Sequence, residues 1–417
     1  MDPAVAIAAA TLVLVVLLAV VRPRIGLTFS PGMAAVLGVV VLLAARILAP
    51  ADLVQSMAVQ WRPLVTLTCI MVMTGVVQEV GAFERLTAWI ERRARTRPAT
   101  STFTLVFALA VITPALLNND AAILILTPLV VSLVRRLYAG RAIAVAFAFA
   151  IFLAPGVAPF IVSNPMNMIV AEFAGLRFNS YAAIMLPISL AGALVTYTVL
   201  RIAFRRALRE AKPSPAGPPT TIHRHPAERA AVGLRLAVFF AYPICAMIGL
   251  EIWYVAVAGA AGSLALGRAY RVAPVQKLAS HVSTDILLFL WGIFLVVQGL
   301  RAVGAVDLLR SIYGATPDLG TVGVTSALGS ALIDNHPMSL LNMLAIDNTH
   351  DAKLLLAALV GGDIGPRLLP IGSLAGLLWM DLLRRQGVAI GIRSFVRIGT
   401  LALVPTLAVS LALLWLL

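Results

Sequence analysis

Apolar runs recur from one end of this chain to the other, and each has the roughly 17 residues or more that a helix needs to cross about 30 Å of hydrocarbon. They cover residues 4–21, 31–48, 61–80, 141–173, 181–204, 231–249, 251–267, 283–303, 353–380 and 391–416. In a bilayer the backbone must satisfy its own hydrogen bonds, so runs of this kind have one solution, the transmembrane helix. Charged residues make up only 12% of the 417 positions, about half the share found in soluble domains. That excludes a cytosolic enzyme, a nucleic-acid reader and a disordered protein. The run 4–21 has no basic residue before it and no small-residue cleavage site after it, so it reads as a retained helix rather than a cleaved signal.

Two further apolar stretches, 101–134 and 319–346, are interrupted near their middles by polar triplets, Asn118-Asn119-Asp120 and Asp334-Asn335-His336. Each flank is about 14–17 residues, short for a crossing. A polar tip between two short helical legs predicts a re-entrant hairpin, tolerated at membrane depth only inside protein or beside a water-filled cavity. The predicted fold class is therefore an all-α polytopic membrane protein with about 10 transmembrane helices, two re-entrant helical hairpins and two broken helices.

With each hairpin returning to its own side, 25 of the 32 Lys and Arg residues fall on one face, Arg235 among them. Arg46, Arg62, Arg177, Arg301, Arg310 and Lys353 fall on the other, and Arg367 lies inside a span. The net charge of +14 thus reads as orientation by the positive-inside rule, with both termini external and the protein multi-pass in the cytoplasmic (inner) membrane. Cys69 and Cys245, the only cysteines, both lie in apolar runs, so neither a disulfide framework nor a cysteine metal site is expected.

The halves resemble each other. Val76-Val77-Gln78 followed by Gly81-Ala82-Phe83-Glu84 parallels Val296-Val297-Gln298 followed by Gly304-Ala305-Val306-Asp307, and Ala115 to Asn119 parallels Ala331 to Asn335. After each hairpin comes a long apolar span broken by Pro and Gly: Pro155-Gly156 through Pro165, and Gly365-Pro366 through Gly372. The expected organisation is a first repeat over 1–204 (hairpin 101–134, broken helix 141–173) and a second over 231–417 (hairpin 319–346, broken helix 353–380). A cytoplasmic linker over 205–230 joins them, with Lys212 to Pro226 rich in Pro, Thr and His. The first half starts outside and the second inside, so the repeats have inverted topology. Interrupted segments in matching positions of two such halves point to a transporter's substrate site.

Asp120 carries the strongest signal, because a carboxylate near the bilayer centre costs roughly 2.5–3.5 kcal/mol on insertion scales. It stands at the start of the leg 121–134, where the helix dipole favours its anion and desolvation favours the acid. A group so balanced can take up and release a proton. The bland alternative is a helix N-cap with Asn118 and Asn119 satisfying backbone at the break. At the second tip Asp334 and His336 are further proton candidates, and Pro337 suits the first turn of the following leg. The unwound stretches offer Ser163, Asn164 and Asn167 in the first half and Gly372 and Ser373 in the second, with Asn335 at the second tip. Freed backbone groups there can hydrogen-bond a substrate, or the Pro kinks can be satisfied by neighbouring helices. Asp363 and Arg367 are four apart, so on a helix they would share a face and neutralise each other; they are the weaker candidates. The clusters Arg92 to Arg97, Arg205 to Arg209 and Arg384-Arg385 read as solvated cytoplasmic charge, and Glu172 and Asp347 to Asp351 as external loop. His223 and His225 are too isolated for a metal site. No P-loop, G-x-S-x-G or H-E-x-x-H occurs, so no ATPase or hydrolase of its own and no cofactor are expected.

At these residues the sequence resembles the ArsB family of arsenite/antimonite efflux carriers, within the ion-transporter superfamily of inverted-repeat secondary transporters. The likeness is carried by Asn118-Asn119-Asp120 through Thr127-Pro128, by Ile161-Val162-Ser163-Asn164-Pro165-Met166-Asn167, and by Gly362 to Arg367 with Pro370-Ile371-Gly372-Ser373-Leu374. The resemblance implies export of neutral As(OH)3 or Sb(OH)3 in exchange for protons, sometimes with a soluble ATPase as partner. The second tip departs from the Asn-Asn-x-Pro usual in such carriers, with Asp334-Asn335-His336-Pro337 supplying two titratable groups. Hydrogen-bonding Asn, Ser and freed backbone suit a neutral trihydroxide. The expected partners are therefore a trivalent metalloid, protons and the lipid bilayer, with no nucleic acid. The alternative is a Na+/H+ (cation/proton) antiporter of the same superfamily, which two acidic tips would also suit. A carboxylate importer fits less well, because Asp120 and Asp334 would repel a dianion. An intramembrane enzyme with an Asp120/Asp363 dyad would leave the matched hairpins without a role.

Overall fold

A computed structural model describes residues 2–25, 27–214, 225–346 and 351–417. Its helices follow the order α1 (Pro3–Val21), α2 (Pro31–Ala44), α3 (Pro50–Glu79), α4 (Ala82–Ala94), α5 (Ala99–Leu116), α6 (Asn119–Leu137), α7 (Arg141–Leu153), α8 (Pro165–Phe173), α9 (Phe178–Ala203) and α10 (Arg205–Arg209). The second half continues with α11 (Glu228–Met247), α12 (Ile252–Ala269), α13 (Val275–Ala279), α14 (Thr284–Ala302), α15 (Val306–Tyr313), α16 (Leu319–Ile333), α17 (Asn335–Ile346), α18 (Ala352–Ile364), α19 (Leu374–Arg385) and α20 (Ile392–Leu416). Extended pairing is confined, among the described residues, to two-residue antiparallel ladders, Arg24–Ile25 with Leu27–Thr28 and Tyr138–Ala139 with Lys212–Pro213. Among the described residues eight helices are long and apolar enough to cross a membrane, with α2, α7 and α16 shorter and apolar. The chain is an all-α polytopic membrane protein.

Helix boundaries follow the local chemistry. Pro3, Pro31 and Pro50 open α1, α2 and α3 at the position where a missing N–H is harmless. The Asp2 and Ser30 side chains accept from Ala4 N and Met33 N. Asp52 accepts from Ala49 N at 2.7 Å, which carries α3 eleven residues upstream of the expected span 61–80. The legs of the first hairpin are also longer than expected, 18 and 19 residues. They run on through Ala99 to Thr102 and Arg135 to Leu137, since polar residues at a membrane surface do not stop a helix. Those of the second hairpin are 15 and 12 residues.

The helices pack in two groups. In one, α3 lies on α12, α2 on α14 and α1, and α11 on α12. In the other, α5, α6 and α7 pack together, α19 lies on α6, α16 on α18, and α9 on α20. The second group is held by a ring of aromatic contacts among Phe149, Phe152, Trp379 and Phe395. Between the groups, α17 touches α14, α15, α8 and α18. The series α3 to α9 and α14 to α20 run in the same order: long helix, short amphipathic helix, two legs meeting at a polar tip, broken helix, long helix.

Two expectations change here. Arg235 is not in a cytoplasmic loop: α11 begins at Glu228, so Arg235 sits two turns inside it and is buried. The linker is shorter than 205–230 for the same reason, with α10 and Lys212–Pro213 structured before it and α11 after it. Residues 215–224, with His223, and 347–350 of the Asp347 to Asp351 segment lie outside the described residues.

Candidate functional site

At the first tip α5 ends at Leu116, and Asn118 takes an extended backbone, φ −168° and ψ 167°. Its Oδ1 accepts from Ala121 N at 2.7 Å, so Asn118 is the N-cap of α6. The helix therefore starts at Asn119 and holds Asp120 in its first turn. Asn119 Oδ1 is buried without a partner. Asp120 is half-buried and meets other groups by charge rather than by hydrogen bonds.

The second tip turns at Asp334, whose φ of +76° is a left-handed value that a residue with a Cβ adopts only under constraint. Such a residue costs about 1–3 kcal/mol and persists where its surroundings over-determine it. Here they do. Asp334 Oδ1 accepts from His336 N at 2.9 Å and from His336 Nδ1 at 2.7 Å, and Oδ2 accepts from Leu374 N at 3.0 Å. Ser373 makes no side-chain cap to α19, so the second tip caps the second broken helix. Gly372 has a packing reason: a Cβ there would come within 2.9 Å of Ser330 O, Ala331 Cα and Pro366 Cα.

The first break runs from Ala154 through the turn Ile161–Ser163 to Asn164, whose Oδ1 accepts from Met166 N at 3.0 Å and caps α8. Asp363 and Arg367 feel each other's charge but do not pair directly. Residues 365–367 leave the α-helix for a tighter turn, and among the described residues no ion pair joins the two. Both instead reach across to the first break. Asp363 accepts from Ala158 N at 3.0 Å and from Asn164 Nδ2 at 2.9 Å. Arg367 donates to Leu153 O at 2.7 Å and to Thr196 Oγ1 at 3.0 Å. Each charge satisfies a backbone group that unwinding leaves free.

These elements bring Asp120, Asp334 and Asp363 each within electrostatic reach of His336. Arg367 faces the far end of the first break. Around the cluster lie Asn119, Ser163 and Asn335, each with a buried side-chain atom lacking a partner among the described residues, and Asn167, whose amide has Tyr181 near it. Native proteins leave only a few such atoms per hundred residues. Their gathering at two tips and a break marks a place where something else supplies the hydrogen bonds. Ser330 Oγ belongs with them and was missed by sequence reasoning. Its signal was the pair Ser326 and Ser330, four apart and on one face of apolar α16.

Two cavities approach the cluster from opposite ends of α3. One of about 340 Å³ lies between α3 and α6, lined by Thr74, Gln78, Leu124 and His281, and reaches Ala121 beside Asp120. The other, of about 310 Å³, is lined by Thr66, Phe178, Ile161 and Met168, the last two flanking Ser163 and Asn167. At its edge Arg62 pairs with Glu172 and Glu251, both at 3.3 Å.

The Ser163 hydroxyl is buried with no partner among the described residues. Ser163→Ala should leave the melting temperature unchanged or slightly raised, because an unpartnered buried hydroxyl costs about 1–3 kcal/mol. A large loss of stability would give Ser163 a structural role.

The family described as arsenical pump membrane protein, ArsB, matches residues 4–417. The chain is 29% identical over 421 residues to an arsenical pump membrane protein of Escherichia coli, covering 97% of each chain. It is 28% identical over 427 residues to one of Yersinia enterocolitica, again with 97% of each covered. Among solved structures, the YdaH transporter of Alcanivorax borkumensis aligns with a TM-score of 0.59 at 14% identity, over 99% of this chain and 98% of that one. The MtrF protein of Neisseria gonorrhoeae aligns at 0.52 and 13% identity, over 99% and 94%. At such identities the likeness concerns the fold.

Proposed function

Because the chain belongs to the ArsB family of arsenical pump membrane proteins, we propose that this membrane transporter exports neutral arsenite and antimonite, As(OH)3 and Sb(OH)3, in exchange for protons. The observation that carries the reading is the set of buried atoms without partners among the described residues on Asn119, Ser163 and Asn335, at the two tips and the break that also hold Asp120, Asp334 and Asp363. A trihydroxide presents donors and acceptors all round, which Asn amides and a Ser hydroxyl match, and it carries no charge to desolvate. Weak neutral contacts also suit a carrier that must let its cargo go. Asp120 is the proton-coupling group, with Asp334 and His336 beside it, while Asn118, Asn164, Gly372 and Ser373 shape the site.

In this reading residues 1–204 and 231–417 are two repeats of inverted topology, the tips and breaks move together between the two cavities, and both termini are external to the inner membrane. The basic cytoplasmic face is where a soluble arsenite-stimulated ATPase would dock. Purified protein in vesicles with an imposed pH gradient tests the proposal. As(OH)3 and Sb(OH)3 should accumulate against their own gradients while the pH gradient runs down faster, and Na+ should do neither. Gradient-driven Na+ movement without metalloid movement would replace this reading with a cation/proton antiporter.

A further inference from the structure

Arg235 is a buried charge that the proposed mechanism leaves unused. A guanidinium inside a membrane helix is expensive and marks function by default, with a partner to be named. Arg235 lies on α11, in the group of helices packed on α3 and α12, and only 4% of it is exposed. Its Nη2 donates to Leu116 O, the last carbonyl of α5, immediately before the Asn118-Asn119-Asp120 tip. Its Nη1 rests 3.9 Å from Met73 Sδ on α3. Beside it on the same helix is the buried hydroxyl of Tyr242, in polar contact with the guanidinium. Among the described residues it meets no carboxylate. A structural ion pair would neutralise this charge; here the charge is shared between a tyrosine hydroxyl on its own helix and one backbone carbonyl of a tip belonging to the other helix group.

We propose that Arg235 is a positioning residue for the first tip: from α11 it holds the carbonyl end of α5, and so fixes where Asn119 and Asp120 stand while the crevice between α3 and α6 is open. The carbonyls that end a helix are free to accept, and the negative end of the helix dipole adds to their attraction for a cation. One such bond, unlike a buried carboxylate pair, can be released when the tip moves past α11. The proposal rests on the transport reading for what the tip does, but its test does not need the cargo.

A reporter thiol on α6 reads the tip directly. In a background carrying Cys69→Ser and Cys245→Ser, Leu124→Cys places a thiol in the lining of the crevice, and its labelling rate with a membrane-impermeant maleimide is measured in inside-out vesicles. Adding Arg235→Gln should slow labelling about tenfold, the shift that loss of one charge-assisted hydrogen bond produces. Arg235→Lys keeps the charge but not the fork and should restore about half of the change on a logarithmic scale. If the Gln variant does not reach the membrane, the Lys variant alone carries the test, with about a threefold slowing expected. A rate within the scatter of the parent, or a rise, in whichever variant inserts would overturn the proposal. Because labelling reports the tip whatever is carried, it can succeed where metalloid transport fails and fail where transport succeeds.

Discussion

Asp120→Asn should abolish proton-driven export of arsenite while leaving the protein in the membrane at its usual level. The substitution conserves shape, and among the described residues Asp120 has no hydrogen bond whose loss could loosen the tip, so the fold has little to lose. What disappears is the exchangeable proton. The expected fall in gradient-driven flux is on the order of 10²-fold or more, the scale of removing a positioned proton-transfer group. Metalloid exchange without a pH gradient should fall only a few-fold, since Asn119, Ser163 and Asn167 remain. Flux in inside-out vesicles, normalised to protein by immunoblot, decides the matter; undiminished gradient-driven flux removes Asp120 from the coupling.

The second large effect is on stability. Asp363→Ala strips Ala158 N and Asn164 Nδ2 of their acceptor and removes the one carboxylate whose charge Arg367 feels. Removing one partner from a buried charged arrangement costs about 3–5 kcal/mol, which for a chain of this size lowers the melting temperature by roughly 3–6 °C. Asp363→Asn retains an acceptor and should cost about 1 kcal/mol. Thermal unfolding of both variants in one detergent measures the difference. An Ala variant melting with the parent would mean that the crossing of the two breaks is held elsewhere.

The parts of this structure governed by hydropathy and helix punctuation were readable in advance. Apolar runs located α1, α9, α12, α14 and α20 to within a few residues, and Asn118-Asn119-Asp120 and Asp334-Asn335-His336 marked both tips. Pro155-Gly156 and Gly365-Pro366 marked the breaks, because Pro next to Gly disfavours a helix twice over, whereas single prolines such as Pro63, Pro187 and Pro405 stay inside α3, α9 and α20. What stayed hidden depends on partners far away in sequence. Asp363 and Arg367 looked like a local i, i+4 pair, yet each serves backbone more than 200 positions earlier. Arg235 was counted with Arg229 and its basic neighbours, since charge counting has no means of seeing that α11 has already begun. Ser330 had only Ser326, one turn before it on apolar α16, to signal it; what makes it matter is its surroundings once folded.

The second tip's carboxylate has both oxygens committed, to a histidine beside it and to the first amide of α19. The two apices that mirror each other in sequence are therefore opposites in reserve: one acid is at liberty, the other is a fastening. Asp334 is thus a shared anchor, holding the turn of its own apex and the first turn of α19 with a single side chain. Reshaping that apex and unseating the second broken helix are consequently a single event.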